Sequence, residues 1–171
     1  MSTIDLIKSR RSIRSYTDEA VPEELLNKVL EAGTYAASGM GRQSAIIIAV
    51  TDRETRDMLS KLNAAVMNSD FDPFYGAPYV FAVLADKNVR TYLYDGSLVM
   101  GNMMLAAEEL GLGTCWIHRA KEEFESEEGK ALLEKLGVEG EYEGIGNLII
   151  GWPKGDKPAA KERKDNYIYR V

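Results

Sequence analysis

Apolar positions along this chain follow two patterns, a helical period near 3.6 and short unbroken runs, and segments of the two kinds alternate. Ile4, Leu6 and Ile7, followed by Lys8, predict a short amphipathic helix. From Pro22 to Ser38, Leu25, Leu26, Val29, Leu30, Gly33, Ala36 and Ala37 fall on one helical face. Pro22 suits the first turn of that helix, and Glu23 and Glu24 complement its positive end. The glycines of Ser38-Gly39-Met40-Gly41 force a loop. Ala45 to Val50 is a continuous apolar run of strand length and predicts a buried strand. Asp52 to Met67 predicts a second long helix, capped by Asp52, with Met58, Leu59, Leu62, Ala65 and Val66 turned inward.

The second half repeats the alternation. After a rigid aromatic turn, Asp72-Pro73-Phe74-Tyr75-Gly76-Ala77-Pro78, the run from Tyr79 to Ala85 predicts a strand. Tyr92 to Leu110 is apolar on nearly all sides, which predicts a central core helix or a subunit interface. Its methionines read as core filler. Gly111-Leu112-Gly113 stops that helix, and Thr114 to His118 follows as a short strand. Glu122 to Leu136 predicts a solvated acidic helix, Gly137 to Glu143 a polar turn, and Ile145 to Gly151 a final strand. Beyond Pro153 no pattern emerges until Tyr167-Ile168-Tyr169. A tail that polar adds nothing to its own core and is expected to wrap a partner. The element order predicts an α+β fold in one domain, residues 1–171, without repeats or a linker.

Composition removes several classes of function. With 171 residues, a net charge of −6 and a pI near 5.0, the chain lacks the broad basic face that a nucleic acid partner requires. No segment reaches the roughly 18 uninterrupted apolar residues of a membrane span. The charged region from Lys8 to Arg14 follows a very short apolar stretch, which is not the pattern of a signal peptide. Cys115 is the single cysteine, which excludes an internal disulfide and a cysteine zinc site. A cytoplasmic protein without a metal fits these features. His118 is the only histidine, which argues against a histidine-rich metal site and a Ser-His-Asp triad.

Against that acidic background, Arg10-Arg11-Ser12-Ile13-Arg14-Ser15-Tyr16 places three guanidiniums within seven residues. Guanidinium is well suited to phosphate, because its planar fork donates paired hydrogen bonds and keeps its charge. Lys157, Lys161, Arg163, Lys164 and Arg170 form a second basic cluster at the other end. Chain termini often lie close together, and if these two meet they form a pocket for a dianionic phosphate. The alternative is a solvated basic turn and a disordered tail.

No G-x-S-x-G, P-loop, H-E-x-x-H or C-x-x-C motif is present. Gly111 and Gly113 have G-x-G spacing but lie between a helix and a strand, the reverse of the dinucleotide-binding order. Cys115 beside Trp116 reads as a buried structural thiol, and His118 as an ordinary loop histidine. What remains suits a cofactor enzyme: phosphate binding at the basic ends, and an apolar slot drawn from Met40, Phe74, Tyr75 and Trp116.

The segments Arg10 to Tyr16, Ala36 to Gln43, Pro73 to Pro78, Asp95-Gly96-Ser97 with the long helix, Leu110 to Ile117, Ile149 to Pro153, and Lys161-Glu162-Arg163 occur in a characteristic order and spacing. Together they resemble the short form of the FMN-dependent nitroreductase-like flavoproteins over nearly the whole chain. The resemblance implies an α+β fold with a central mixed or antiparallel sheet flanked by helices, assembled as an interlocked homodimer with FMN at the interface. It implies that Arg10 and Ser12 hold the FMN phosphate with Lys161 and Arg163, and that Arg11 assists there or at the ribityl chain. Arg14 matches a position that sets a cation near the N1–O2 edge of the isoalloxazine, where negative charge gathers on reduction. Ser38, Gly39, Met40 and Gln43 would reach FMN from the other subunit. Cys115, Trp116, Ile117 and His118 would lie against the ring, with backbone N–H groups near N5 and O4.

The chain departs from the family pattern in places. Ala37 and Gly41 stand where proline and asparagine are common, which makes that loop more pliable. Phe71 and Phe74 stand where some members carry polar flavin contacts, and the long active-site insertion of larger members is absent. The implied reaction is ping-pong hydride transfer from NADH or NADPH to FMN N5, then to a nitroaromatic or quinone. No side chain is required as acid or base. Reduction by a carrier protein with a specific metabolite as acceptor, or flavin storage without turnover, are the alternatives.

Overall fold

A computed structural model describes residues 2–171. Four strands, β1 (Ala45–Val50), β2 (Tyr79–Asp86), β3 (Gly113–Ile117) and β4 (Tyr142–Gly151), form one sheet in the order β1-β2-β4-β3. All three ladders are antiparallel. Six α-helices accompany them: α1 (Thr3–Ser9), α2 (Glu23–Thr34), α3 (Arg53–Val66), α4 (Tyr92–Glu109), α5 (Ala120–Glu125) and α6 (Glu127–Lys135).

The sheet is buried on both faces, which explains why its central strands read as unbroken apolar runs. On β2, Val80, Ala82 and Leu84 join Leu59 of α3 and Phe124 of α5 in one core. Phe81, Val83 and Ala85 point the other way, onto Leu26 and Val29 of α2 and Met100 and Met103 of α4. The result is a three-layer α+β arrangement.

Several boundaries and faces differ from the sequence expectation. Helix α2 stops at Thr34, not Ser38, and Tyr35 is 78% exposed. The chain leaves the helix there and carries Gly39 N–H to the Asp95 carboxylate at 3.0 Å. β1 is an edge strand rather than a fully buried one, with Ala49 exposed. On α3, Leu59 turns inward as expected, but Ala65 and Val66 are exposed. Their places in the interior go to Arg56, Ser60, Asn63 and Ala64. α4 is the core helix of its layer, yet it leaves Leu93, Tyr94 and Leu98 exposed.

The expected acidic helix from Glu122 to Leu136 is two helices. Ser126 breaks it, because its extended backbone ends α5 while its hydroxyl accepts from Gly129 N–H to cap α6. Nor is it merely solvated, since Glu123 and Phe124 are buried. β4 begins at Tyr142, earlier than the apolar run suggests, because its first residues extend the ladder to Asp86. The expectation that the tail lies outside the core holds: every residue from 153 to 171 is exposed.

A bulge in β4 bears on the site. Val83 pairs with Gly146 and Leu84 with Gly144, so Ile145 has no partner in the ladder. A Cβ on Gly144 would lie 2.3 Å from the backbone carbonyl of Ala120, so α5 seats directly on the strand. Gly144→Ala should therefore destabilise the fold by about 1–3 kcal/mol, the usual cost of overpacking. Urea unfolding of the variant checks this, and an unchanged midpoint would contradict the close seating of α5.

Candidate functional site

The arginine segment is laid along the outer edge of β3. Ile13 donates its N–H to Thr114 O at 2.9 Å, and Ser12 forms a parallel bridge with Thr114. The Ile13 side chain is buried, while Arg14 and Ser15 are exposed. The tail docks next to it. Tyr16 bridges Pro153, and Lys154 N–H donates to Ser15 O at 2.9 Å. Lys157 then pairs with Glu108, which also accepts from the Ser9 hydroxyl at 2.7 Å.

These anchors bring the two ends of the chain together around a cleft of about 770 Å³. Arg10, Arg11, Ser12, Arg14, Lys161 and Arg163 all line it. Of the second basic cluster, Lys157 is withdrawn to Glu108, Lys164 stacks on Tyr167 at 5.2 Å, and Arg170 is exposed outside the cleft lining. The Arg163 guanidinium donates to Lys161 O at 2.8 and 3.1 Å, curling the tail at the rim. Arg11 Nη1 donates to the carbonyls of Lys8 and Arg10. Arg10 Nη1 and Arg11 Nε, however, are buried without a hydrogen-bond partner. A buried charged donor left unsatisfied is costly, and both arginines line a cleft where an anion is the partner their charge favours. The residues present therefore fit the phosphate end of FMN.

Arg14 also lines a second, smaller cleft of about 270 Å³, together with Phe71, Tyr75, Trp116, Ile117, His118 and Arg119. The two clefts thus share Arg14 in their linings. Its guanidinium lies 5.7 Å from the Tyr75 ring centroid, and Phe71 packs edge-on to Tyr75 at 5.1 Å. Trp116 can pack against β4 because a Cβ on Gly146 would come within 2.3 Å of its Nε1.

Two members of the expected apolar slot lie elsewhere. Phe74 is fully buried, with the Arg56 guanidinium 5.4 Å from its ring. Met40 is 89% exposed. The loop holding Ser38, Gly39, Met40 and Gln43 lines neither cleft in the single chain. Ser38 and Gln43 face a separate apolar groove of about 480 Å³ beside β1. That loop is more tightly tied than its glycines suggest. Met40 and Gln43 are left-handed, Gln43 N–H donates to Ser38 Oγ at 3.0 Å, and Gly39 is held by Asp95. The Cys115 side chain is 1% exposed and sits in the core, so only its backbone can serve a ligand.

The sequence reading missed a buried polar layer behind the second cleft. Asp72 accepts from Arg56 at 2.6 Å, Ser60 at 2.6 Å, Phe74 N–H at 2.9 Å and Gly76 N–H at 2.7 Å. Although burial opposes it, these bonds hold the Asp72 carboxyl down at about 2. Asn63 donates to His118 O at 2.7 Å and to Glu123, and accepts from Arg119 Nε at 2.9 Å. Asn147 donates to both Glu123 oxygens, at 2.9 and 3.0 Å, while its own Oδ1 stays unpaired. Burial pushes the Glu123 carboxyl up to about 8, against the opposing bonds from Asn63 and Asn147 and the charge of Arg119.

Glu123 makes stability depend on pH. Its carboxyl titrates near 8 when folded and near its ordinary 4.5 when unfolded. Between those values the folded chain binds the extra proton, so stability falls as pH rises through this window. Glu123→Gln imitates the uncharged, protonated acid. Its urea midpoint should change less between pH 5 and pH 9 than that of the unaltered chain, and should exceed it at pH 9. Parallel curves would contradict burial as the dominant influence on Glu123.

Comparison with known proteins agrees with this geometry. The sequence model of the Nitroreductase family matches residues 7–70 and 65–152. The chain is 34% identical to a candidate NADH dehydrogenase/NAD(P)H nitroreductase of Archaeoglobus fulgidus, over 90% of this chain and 87% of that one. It is 30% identical to an FMN reductase [NAD(P)H] of Bacillus subtilis, over 93% of this chain and 70% of that one. A nitroreductase with bound FMN from Bacteroides fragilis superposes with a TM-score of 0.90 at 29% identity, covering 100% of this chain and 99% of that one. An arginine loop and a basic tail converging on one cleft, in an α+β frame shared along its whole length with that structure, place this chain in the Nitroreductase family.

Proposed function

We propose that this chain is an FMN-dependent NAD(P)H:acceptor oxidoreductase, with nitroaromatics and quinones as acceptors. The observation that carries the reading is the pair of buried, unpartnered guanidinium nitrogens, Arg10 Nη1 and Arg11 Nε, beside a cleft also lined by Ser12, Lys161 and Arg163. Relatives that are an FMN reductase [NAD(P)H] and an oxygen-insensitive NADPH nitroreductase support the donor and the acceptor class. When bound, FMN supplies hydride chemistry at its N5.

The chain's own part is binding, orientation and electrostatics. Arg10, Arg11, Ser12, Lys161 and Arg163 hold the phosphate. Arg14 bridges the two clefts and turns a fixed cation toward the ring, where it favours the reduced, negatively charged flavin. Trp116, Ile117 and His118 form the floor against the ring. No side chain is needed as acid or base.

The protein works as a homodimer in the cytoplasm, with each chain, 1–171, acting as one flavin domain. Exposed Leu93, Tyr94 and Leu98 on α4, and Tyr167, Ile168 and Tyr169 on the tail, support a partner surface. In the dimer, Ser38, Gly39, Met40 and Gln43 serve the partner's flavin, consistent with an outward-facing loop of fixed shape. No helix among the described residues is long and apolar enough to cross a membrane.

The test begins with the purified protein. It should carry FMN, which NADH or NADPH bleaches anaerobically. Arg10→Ala should weaken FMN binding by about tenfold to a hundredfold, the loss of one charge-assisted contact of about 1.5–3 kcal/mol. Equilibrium dialysis against FMN measures it, and undiminished affinity would overturn the phosphate assignment.

A further inference from the structure

Helix α3 carries three buried polar side chains, Arg56, Ser60 and Asn63, exposed by only 4%, 6% and 0%. Their spacing of four and then three residues puts them on one helical face. That face holds two turns. Arg56 and Ser60 grip Asp72, whose carboxylate collects the N–H groups of Phe74 and Gly76. Asn63 grips the other turn, binding His118 O and receiving Arg119 Nε.

Both turns contribute walls to the smaller cleft, Phe71, Pro73 and Tyr75 from one and His118 and Arg119 from the other. Each contains a non-glycine residue in the left-handed region, Tyr75 at φ 52° and Arg119 at φ 78°. Such backbone costs on the order of 1–3 kcal/mol per residue and persists only where its surroundings enforce it. Here the enforcement comes from one helix. Each wall also presents a cation. The Tyr75 ring supports the Arg14 guanidinium, and Asn63 tethers that of Arg119. Arg119 has no ion pair among the described residues, and Asn63, which tethers it, also donates to Glu123.

We infer that the polar stripe of α3, Arg56, Ser60 and Asn63, is the positioning element that sets both walls of this cleft. It thereby fixes the guanidiniums of Arg14 and Arg119 against the flavin without touching it. The inference rests on the proposed flavin function and adds a role that the basic cleft does not provide. Two fixed cations stabilise reduced flavin, because negative charge appears on the ring only on reduction. Loosening either wall should lower the flavin midpoint potential.

The test is spectroelectrochemistry of FMN-loaded protein, with thermal unfolding in parallel. Asn63→Ala should reduce the preference for reduced over oxidised flavin about tenfold, which for a two-electron couple is roughly 30 mV. Arg119→Gly should lower the potential too, and adding Asn63→Ala to it should have little further effect, because the tethered group is gone. Ser60→Ala acts on the other turn, leaves Arg56 on Asp72, and should lower the potential by itself. It carries the test if Asn63→Ala does not fold. A folded Asn63→Ala or Ser60→Ala protein with reduced thermal stability and an unchanged potential would overturn the inference, because that is the signature of a structural role alone. An unaltered protein that takes up no FMN would instead refute the flavin function itself.

Discussion

The docking of Ile13 onto the edge of β3 is the contact on which the site depends. Ile13 N–H pairs with Thr114 O, and its side chain fills the space that the absent Cβ of Gly113 leaves open, where an added carbon would lie 2.9 Å from it. Tyr16 hydroxyl donates back to Ile13 O at 2.7 Å and closes the segment. With Ile13 buried, Arg14 is left at the surface, and Arg10, Arg11 and Ser12 form the wall of a cleft. The tail is registered on the same segment through Pro153 and Lys154. One apolar anchor therefore decides where the basic groups from both ends of the chain converge.

The electrostatics follow from this geometry. An acidic protein gathers cations at one place and leaves two of their nitrogens buried without partners. Such donors favour an anion, because the alternative is an unsatisfied charged group. Behind the neighbouring aromatic cleft, the polar layer on α3 is almost completely satisfied. The unpaired atom nearby is on β4, Asn147 Oδ1, whose own amide nitrogen donates to the Glu123 carboxyl. The first region is poised to bind, and the second is built to hold backbone in place.

The fold was largely legible because the apolar runs Ala45–Val50 and Tyr79–Ala85 and the long helix α4 carry strong signals. The convergence of Arg10, Arg11, Ser12, Arg14, Lys161 and Arg163 was legible from charge clustering against an acidic background. What sequence reasoning lost was polar burial. Arg56, Ser60 and Asn63 share a helical face as regularly as any apolar stripe, but a hydrophobic reading of α3 assigns the interior to Ala65 and Val66 instead. Phe74 was misplaced because its ring packs beside the Arg56 guanidinium, whose own burial a hydrophobic reading does not reveal. Ser126 was missed as a helix break because the charge pattern continues through it. The loop at 38–43 shows a different limit, since its proposed role belongs to an assembly and not to one chain.

The central claim is that the cleft between the arginine loop and the tail recognises the phosphate end of the flavin. Calorimetric titration of flavin-free protein with FMN and with riboflavin, which lacks only the phosphate, isolates that contribution. With two buried donors each contributing about 1.5–3 kcal/mol, FMN should bind at least about a hundredfold more tightly than riboflavin. Equal affinities for the two would contradict the account.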